Sequence, residues 1–174
     1  KDSDDEGLND YEEINGINVT DIGIVKTDPN DNDTDDDGLL DYVECKRYNT
    51  SPLLKDTDGD GLSDYEEING IEIIGIGKIS SDPKDADTDD DLIDDYDEAR
   101  VYLTNPNDPD TDDDGLFDGN ETLGIYIADL SRTVKTDPRK NDTDGDGLSD
   151  FVEVSIGTDP TEVDTDSDKL TDYE

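Results

Sequence analysis

The chain of 174 residues contains no histidine, methionine or tryptophan, one cysteine, and 13 basic residues against 54 acidic ones. The shortage of lysine and arginine argues against a nucleic-acid partner, because no basic surface is available to displace counterions from phosphates. It argues equally against anionic membrane surfaces, which attract basic segments. No run approaches the ~18 apolar residues of a membrane span, so we expect no direct membrane insertion.

Catalysis also lacks the residues that it usually needs. The chain offers no histidine base, no serine in a nucleophile elbow and no glycine-rich phosphate loop. Pairs of carboxylates that could act as general acid and base occur throughout the sequence, so none of them marks a site. The sequence therefore predicts that the protein is not an enzyme.

The single cysteine, Cys45, excludes an internal disulfide. It shares a predicted helix face with Tyr42 and Tyr48, which favours a buried small apolar residue over a reactive thiol.

Apolar residues are too few to explain folding by themselves. Leucine, isoleucine, valine and phenylalanine make up about a fifth of the chain, whose formal net charge is −41. This combination lies at the edge of the composition of disordered proteins. We therefore expect folding to depend on a charge-neutralising ligand, because binding to a site formed only in the folded state stabilises that state.

The stretch Asp56–Glu67, DTDGDGLSDYEE, indicates what that ligand is. Counted as a loop of twelve, it has carboxylates at positions 1, 3, 5, 9 and 12, glycine at position 6 and leucine at position 7. Calcium is held by this layout, in which short aspartates, a backbone carbonyl near position 7 and a bidentate glutamate supply oxygen ligands.

Seven stretches follow this layout, and we number them loop one to loop seven. Their first residues are Asp2, Asp33, Asp56, Asp87, Asp110, Asp142 and Asp164. Long and short spacings alternate, which gives a larger repeat of about 54 residues and predicts a tandem array.

The candidate calcium ligands are the five carboxylates of each of loops one to six and three carboxylates of loop seven, with the position-seven carbonyl named for four loops. In chain order they are Asp2, Asp4, Glu6, Asp10, Glu13, Asp33, Asp35, Asp37, Leu39, Asp41, Glu44, Asp56, Asp58, Asp60, Leu62, Asp64, Glu67, Asp87, Asp89, Asp91, Asp95, Glu98, Asp110, Asp112, Asp114, Leu116, Asp118, Glu121, Asp142, Asp144, Asp146, Leu148, Asp150, Glu153, Asp164, Asp166 and Asp168. Two loops depart from the pattern, because Leu92 and Lys169 replace the glycine that takes the turn most easily. We expect loop four to be distorted and loop seven, which reaches Glu174 before its twelfth residue, to be incomplete.

Short helices and hairpins are predicted between the loops. Position 7 is apolar in all loops and position 10 aromatic in six, which predicts a helical turn with both residues in a small core. β-Branched residues around turns follow loops one, three and five and predict β-hairpins. Each linker ends in Thr/Ser-x-Pro, so an extended approach replaces the entering helix of an EF-hand.

The predicted fold is therefore a small, irregular α+β structure with few regular elements. It is an elongated tandem array of calcium-loop and short-helix units with intervening hairpins. We expect three repeat groups, at 1–55, 56–109 and 110–174. Because the chain starts one residue before one loop and stops within another, we also expect it to be part of a longer polypeptide.

These motifs resemble the bacterial and archaeal form of the thrombospondin type 3 repeat. The hallmark is TDP followed by DTDGDGLSDYEE, as in Thr136-Asp137-Pro138 ahead of Asp142–Glu153. The hairpin-bearing units are also similar to the calcium-binding segment of anthrax protective antigen and related binary-toxin components. The resemblance implies one to two calcium ions per loop, the second ion sharing positions 3, 5 and 12 with linker groups such as Asp28, Asp82 and Asp137.

Two functions remain open from the sequence. The first is a calcium-rigidified stalk, spacer or fibre segment of a secreted or cell-surface protein, with calcium ions, copies of itself or other surface proteins as partners. The alternative is a calcium-dependent protein-binding module, like a dockerin or a toxin-component scaffold. Loops of roughly 0.1–1 mM affinity stay loaded outside the cell, which makes extracellular or cell-surface localisation the expectation.

We predict that removal of calcium with EGTA disorders the chain. One ion per loop would change the formal charge from −41 to −27, and two would change it to −13. Two like charges 4 Å apart repel by about 4 kcal/mol at an effective dielectric near 20, so the ion-free loops should separate. Circular dichroism and small-angle scattering should both change on chelation and recover with excess calcium. Unchanged signals would contradict the prediction.

Overall fold

The computed structural model describes all 174 residues, Lys1–Glu174. The elements are short and separated by loops: α1 Asp10–Asn15, β1 Ile17–Val19, β2 Gly23–Val25, α2 Asp41–Val43, a π-helical turn Glu44–Tyr48, α3 Asp64–Asn69, β3 Ile71–Ile73, β4 Gly77–Ile79, α4 Asp95–Asp97, a second π-helical turn Glu98–Tyr102, α5 Asp118–Leu123, β5 Ile125–Ile127, β6 Arg132–Val134 and α6 Asp150–Ile156. The predicted small, irregular α+β fold is confirmed. None of the helices has the length and apolar composition needed to cross a membrane.

Every α-helix begins at position 9 of a loop, so the calcium-loop pattern also sets the helix starts. The side chain of the residue before the helix caps it in four cases, and Asn9 and Ser63 form capping boxes with the glutamate three residues later. Helices α1, α3 and α5 stop at a glycine that leads into a strand. Helices α2 and α4 instead widen into the π-helical turns, which end at Asn49 and Leu103 in left-handed backbone conformation.

The three predicted hairpins are present as two-stranded antiparallel sheets, β1 with β2, β3 with β4 and β5 with β6. In the first, Ile17 pairs with Val25 and Val19 with Gly23. In the third, Ile125 pairs with Val134.

The chain forms two compact units. The first contains Lys1–Glu72 and Lys78–Ala86, and the second contains Ile73–Gly77 and Asp87–Glu174. In the first unit, a small core joins the hairpin β1–β2 to the first π-helical turn. It consists of Leu8, Ile17, Val19, Val25 and Cys45. Cys45 is thus buried and free, as its helix face predicted.

The spacing predicted that the aromatic residue at position 10 packs with the position-seven residue of the same loop. The structure shows a different arrangement. Leu62 is 1% exposed, whereas Tyr65, three residues later, is 44% exposed. The Tyr65 ring lies instead over Gly38, the position-six glycine of the preceding loop. Tyr42 lies over Gly7 in the same way. The i, i+3 spacing identified the helix correctly but could not show that the ring contacts the loop before it.

We predict that Gly38→Ala destabilises the calcium-loaded protein more than Gly59→Ala. Both glycines have positive φ, where a Cβ is disfavoured by about 1–2 kcal/mol. A Cβ on Gly38 would also lie 3.1 Å from the Tyr65 ring, whereas a Cβ on Gly59 meets nothing within 4 Å. We expect urea unfolding in excess calcium to give a difference of at least about 1 kcal/mol. Equal effects would show that the ring contact contributes nothing.

Candidate metal centres

The position-one aspartate of each loop closes the turn on which the other ligands stand. In loop two, the backbone N–H of Gly38 donates to Oδ2 of Asp33 at 3.0 Å, and that of Asp37 donates to Oδ1 at 3.1 Å. The same bonds to Asp164 form in loop seven, although Lys169 has the glycine position with a φ of +83°. The turn therefore forms in both kinds of loop.

Positions 3 and 12 carry buried carboxylate oxygens that accept no hydrogen bond. In loop two, Oδ2 of Asp35 and both carboxylate oxygens of Glu44 are buried without a donor. Both carboxylate oxygens of Glu153 in loop six are in the same situation. A buried carboxylate without a donor is strongly unfavourable unless it is protonated or bound to a cation. These oxygens therefore fit a metal ion.

The acidic side chains come close enough together to share one ion. In at least five loops, three carboxylates each place one oxygen within 4.8 Å of the others: Asp4 with Glu6 and Glu13, Asp33 with Asp35 and Asp37, Asp56 with Asp58 and Asp60, Asp87 with Asp89 and Asp91, and Asp110 with Asp112 and Asp114. The donors are all oxygen atoms of carboxylates, with no nitrogen or sulfur ligand. Such a set suits a hard cation such as calcium better than zinc or copper.

The position-five carboxylate connects one loop to the next within each unit. Oδ1 of Asp37 accepts a bond from the Leu39 N–H in its own loop, and Oδ2 accepts one of 3.0 Å from the Tyr65 N–H in loop three. The position-ten N–H donates to the preceding position-five carboxylate at four further junctions. These pairs are Tyr42 with Glu6, Gly119 with Asp91, Phe151 with Asp114 and Tyr173 with Asp146. A predicted metal ligand thus also binds the start of the following helix at four junctions, and the Tyr173 turn at the fifth.

The position-nine aspartates, which the sequence also predicted as ligands, accept hydrogen bonds from the position-two residue of their own loop. They are fully buried in loops two to six and half-buried in loops one and seven. In loop three, Thr57 donates to Asp64 twice, from its N–H at 2.8 Å and from its hydroxyl at 2.7 Å. The same two bonds join the corresponding pairs in loops two, four, five, six and seven. In loop one, the Ser3 hydroxyl donates to Asp10. None of the five carboxylate groups described above includes a position-nine residue.

The threonine at position 2 is a functional residue that the sequence reasoning missed. Besides donating to the position-nine aspartate, its hydroxyl accepts a bond from the linker before the loop, as Thr57 accepts from the Ser51 N–H at 2.9 Å. The threonine or serine of the Thr/Ser-x-Pro segment was missed as well. Its hydroxyl donates to the position-twelve glutamate, as Thr136 donates to Glu121 at 2.8 Å. The signal was present, because hydroxyl residues recur at both places along the chain.

The aspartates of the Thr-Asp-Pro segments differ in their surroundings. Asp28 and Asp137 are among those that the resemblance assigns to a second ion, and Asp159 is the corresponding residue of the last segment. Asp28 is exposed, and its Oδ1 accepts bonds from the Asn30 backbone and side chain. Asp137 forms a 2.7 Å ion pair with Lys140. Asp159 is fully buried and contacts the Arg132 guanidinium. Two of these aspartates, Asp137 and Asp159, are therefore paired with a cationic side chain.

Without a cation, the packed carboxylates hold protons unusually strongly. Burial first, and then repulsion from Asp35 and Asp37, raise the pKa of Glu44 to about 9. Burial, followed by repulsion from Asp144 and Asp146, raises the pKa of Glu153 to about 8. Calcium binding must therefore displace protons from these groups near neutral pH.

Comparison with known proteins shows that two of the loops match a known repeat family. The family model of the bacterial TSP3 repeat matches residues 56–70 and 142–162. These stretches contain loop three and loop six with the helix that follows each. TSP3 repeats are calcium-binding repeats, so the resemblance predicted from the sequence is confirmed there. No curated protein and no solved structure matches the chain.

We predict that the ion-free chain gains structure on acidification. The pKa of a glutamate such as Glu44 is about 9 in the ion-free fold and near its ordinary value of 4.5 in the unfolded chain. The folded form then binds more protons between these values. Its stability is fully present below about pH 4.5 and is lost as the pH rises through the folded pKa values, near 8 to 9.

In EGTA, the helical circular dichroism should therefore increase when the pH is lowered from 8 to 5. A sample saturated with calcium at pH 8, where the ion compensates the ionised carboxylates, is the reference for the fully formed signal. A loss of helical signal on acidification in EGTA would contradict the pKa shifts.

Proposed function

We propose that this chain is a calcium-binding structural region, a stalk, spacer or fibre segment of a secreted or cell-surface protein that calcium makes rigid. The observation that carries the proposal is the double role of the position-five carboxylate. It stands among the candidate ligands of one loop and accepts a bond from the helix of the next, as Asp37 does from Tyr65. An ion held by Asp37 would fix both loops.

In each site, we assign the ion to the side chains at positions 1, 3, 5 and 12 and to the position-seven carbonyl. The position-nine aspartate is assigned a positioning role in place of the direct ligand role predicted from the sequence. Both of its oxygens already accept bonds from the position-two threonine, as in Asp64 with Thr57. Calcium supplies charge compensation here, and no reaction is required of it.

The remaining parts of the proposal follow from this assignment. Stacked ion sites would stiffen a tandem array in which each loop contacts its neighbours, and the three repeat groups at 1–55, 56–109 and 110–174 would be its segments. Loops of this kind stay loaded at extracellular calcium concentrations. TSP3 repeats occur in extracellular proteins, which supports the same localisation.

A calcium-dependent protein-binding module is the second candidate. The hairpins support it, because their outward strand positions leave large apolar side chains in solvent. Ile24 is 73% exposed and Tyr126 is 64% exposed. Such residues on a calcium-formed surface would suit a protein partner. A stable complex that EGTA dissolves on a sizing column would favour this function, whereas an elongated monomer would favour the stalk.

We predict that Glu153→Gln removes calcium from loop six. Glu153 is fully buried with two oxygens that lack a hydrogen-bond donor, and the substitution replaces one charged ligand oxygen by an amide nitrogen. Native mass spectrometry in excess calcium should count at least one ion fewer than in the unaltered protein.

Glu162→Gln is the matched control, because Glu162 is an exposed residue of the same family-matched stretch outside the loop. It should leave the ion count unchanged. An unaltered chain that binds no calcium would overturn the proposed function. An unchanged count in Glu153→Gln would overturn the assignment of this residue as a ligand.

A further inference from the structure

Successive loops meet through a glycine and an aromatic ring at four junctions, two in each unit. A Cβ built on the position-six glycine would lie close to the ring at position 10 of the following loop. The distances are 3.2 Å for Gly7 to Tyr42, 3.1 Å for Gly38 to Tyr65, 3.4 Å for Gly115 to Phe151 and 3.8 Å for Gly147 to Tyr173. At Gly7 and Gly38 the absence of a side chain therefore lets the ring approach, whereas at Gly115 and Gly147 a Cβ would make ordinary van der Waals contact with it.

The junction between loop four and loop five, within the second unit, has the opposite arrangement, with the larger side chain at position 6 and the glycine at position 10. Position 6 of loop four is Leu92, with a φ of +87°, and position 10 of loop five is Gly119. Leu92 is 70% exposed, whereas Gly119 is buried. The hydrogen bond of this junction is kept, since the Gly119 N–H donates to Oδ2 of Asp91 at 2.7 Å.

The space that a side chain at position 119 would need is filled by the backbone of loop four. A Cβ on Gly119 would lie 1.9 Å from the carbonyl oxygen of Asp91 and 2.9 Å from its carbonyl carbon. These atoms belong to the peptide that joins Asp91 to Leu92, so no side-chain rotation can relieve the contact. The peptide itself would have to move, together with the carboxylate of Asp91.

That carboxylate is part of the candidate metal centre of loop four. Asp91 lies with Asp87 and Asp89 in one group of oxygens, and its Oδ1 also accepts a bond from the Ile93 N–H at 2.8 Å. Displacing the Asp91 peptide would therefore disturb both the turn and the ligand set.

We propose that Gly119 is a positioning residue for the calcium site of loop four, and that it forms a matched pair with Leu92. This inference rests on the proposed function, because it assumes that loop four binds calcium. Leu92 takes the place of the position-six glycine and is the only residue there, apart from Lys169, with a side chain beyond hydrogen. A glycine at position 10 of the next loop removes the aromatic ring found at the other junctions and lets the Asp91 peptide approach.

The first test is Gly119→Ala, which adds only the Cβ. Gly119 lies in helix α5, where replacing glycine by alanine ordinarily favours the helix. A purely local role for Gly119 therefore predicts unchanged or improved binding and stability. The matched pair predicts the reverse, with at least one calcium ion fewer by native mass spectrometry, or a calcium midpoint raised roughly tenfold.

The second test restores the arrangement of the other junctions. Gly119→Tyr alone should lose calcium from loop four, whereas Leu92→Gly with Gly119→Tyr should recover the full ion count. The control pair lies one junction later: Gly115→Leu should lose calcium from loop five, and adding Phe151→Gly should restore part of it. Recovery in the double variants separates a matched pair from simple failure to fold.

The outcomes are distinguishable from those for the proposed function. If the unaltered chain binds no calcium, the proposed function and this inference both fall. If the unaltered chain binds calcium and Gly119→Ala keeps every ion and the same midpoint, only the inference falls. The pairing with Leu92 also falls if the double variant binds no better than Gly119→Tyr.

Discussion

Repulsion among packed carboxylates is the constraint on which the rest of this structure depends. The chain has a net charge of −41 and a small apolar core, yet it buries Glu44 and Glu153 completely. Desolvation and like charges oppose such burial, as the raised pKa values of these groups show. Only a bound cation or bound protons can offset it. The regular loops, the short helices and the extended linkers are the means by which the chain presents these oxygens together.

Hydroxyl groups and backbone N–H groups divide the carboxylates into classes with different tasks. At position 9, both oxygens of an aspartate such as Asp64 accept hydrogen bonds from the position-two threonine, and these bonds hold the two ends of the loop together. At position 5, one oxygen of Asp37 holds its own loop and the other holds the next one. At position 12, Glu44 accepts no hydrogen bond, and Glu121 accepts one at Oε1 while its Oε2 stays buried without a donor. The charge of the loop is thus concentrated where no donor competes with an ion.

Much of the fold and of the candidate site could be predicted because the signals are local. The spacing within Asp56–Glu67 gave the turn and the helix start, and β-branched residues around Gly23 gave a hairpin. The contacts of Tyr65 with Gly38 and with Asp37 could not be predicted, because they join residues about 27 positions apart and leave no periodic signal. The π-helical turn Glu44–Tyr48 was missed because the apolar spacing around Cys45 fits an α-helix equally well. The role of the position-two threonine depends on hydroxyl geometry, which residue type alone does not give.

The exchanged pair at Leu92 and Gly119 has a consequence for how such a chain can grow by duplication. Duplication of a 54-residue segment keeps the observed pairing of position 6 with the next position 10 at every junction only if the segment neither begins nor ends between Leu92 and Gly119. A tandem duplication of a segment that ends inside the interval would place an aromatic ring against leucine at its new junction. A duplication of a segment that begins inside the interval would place glycine against glycine there. The similar loops are therefore not freely interchangeable modules, and the chain has at least one boundary at which duplication or deletion carries a structural penalty.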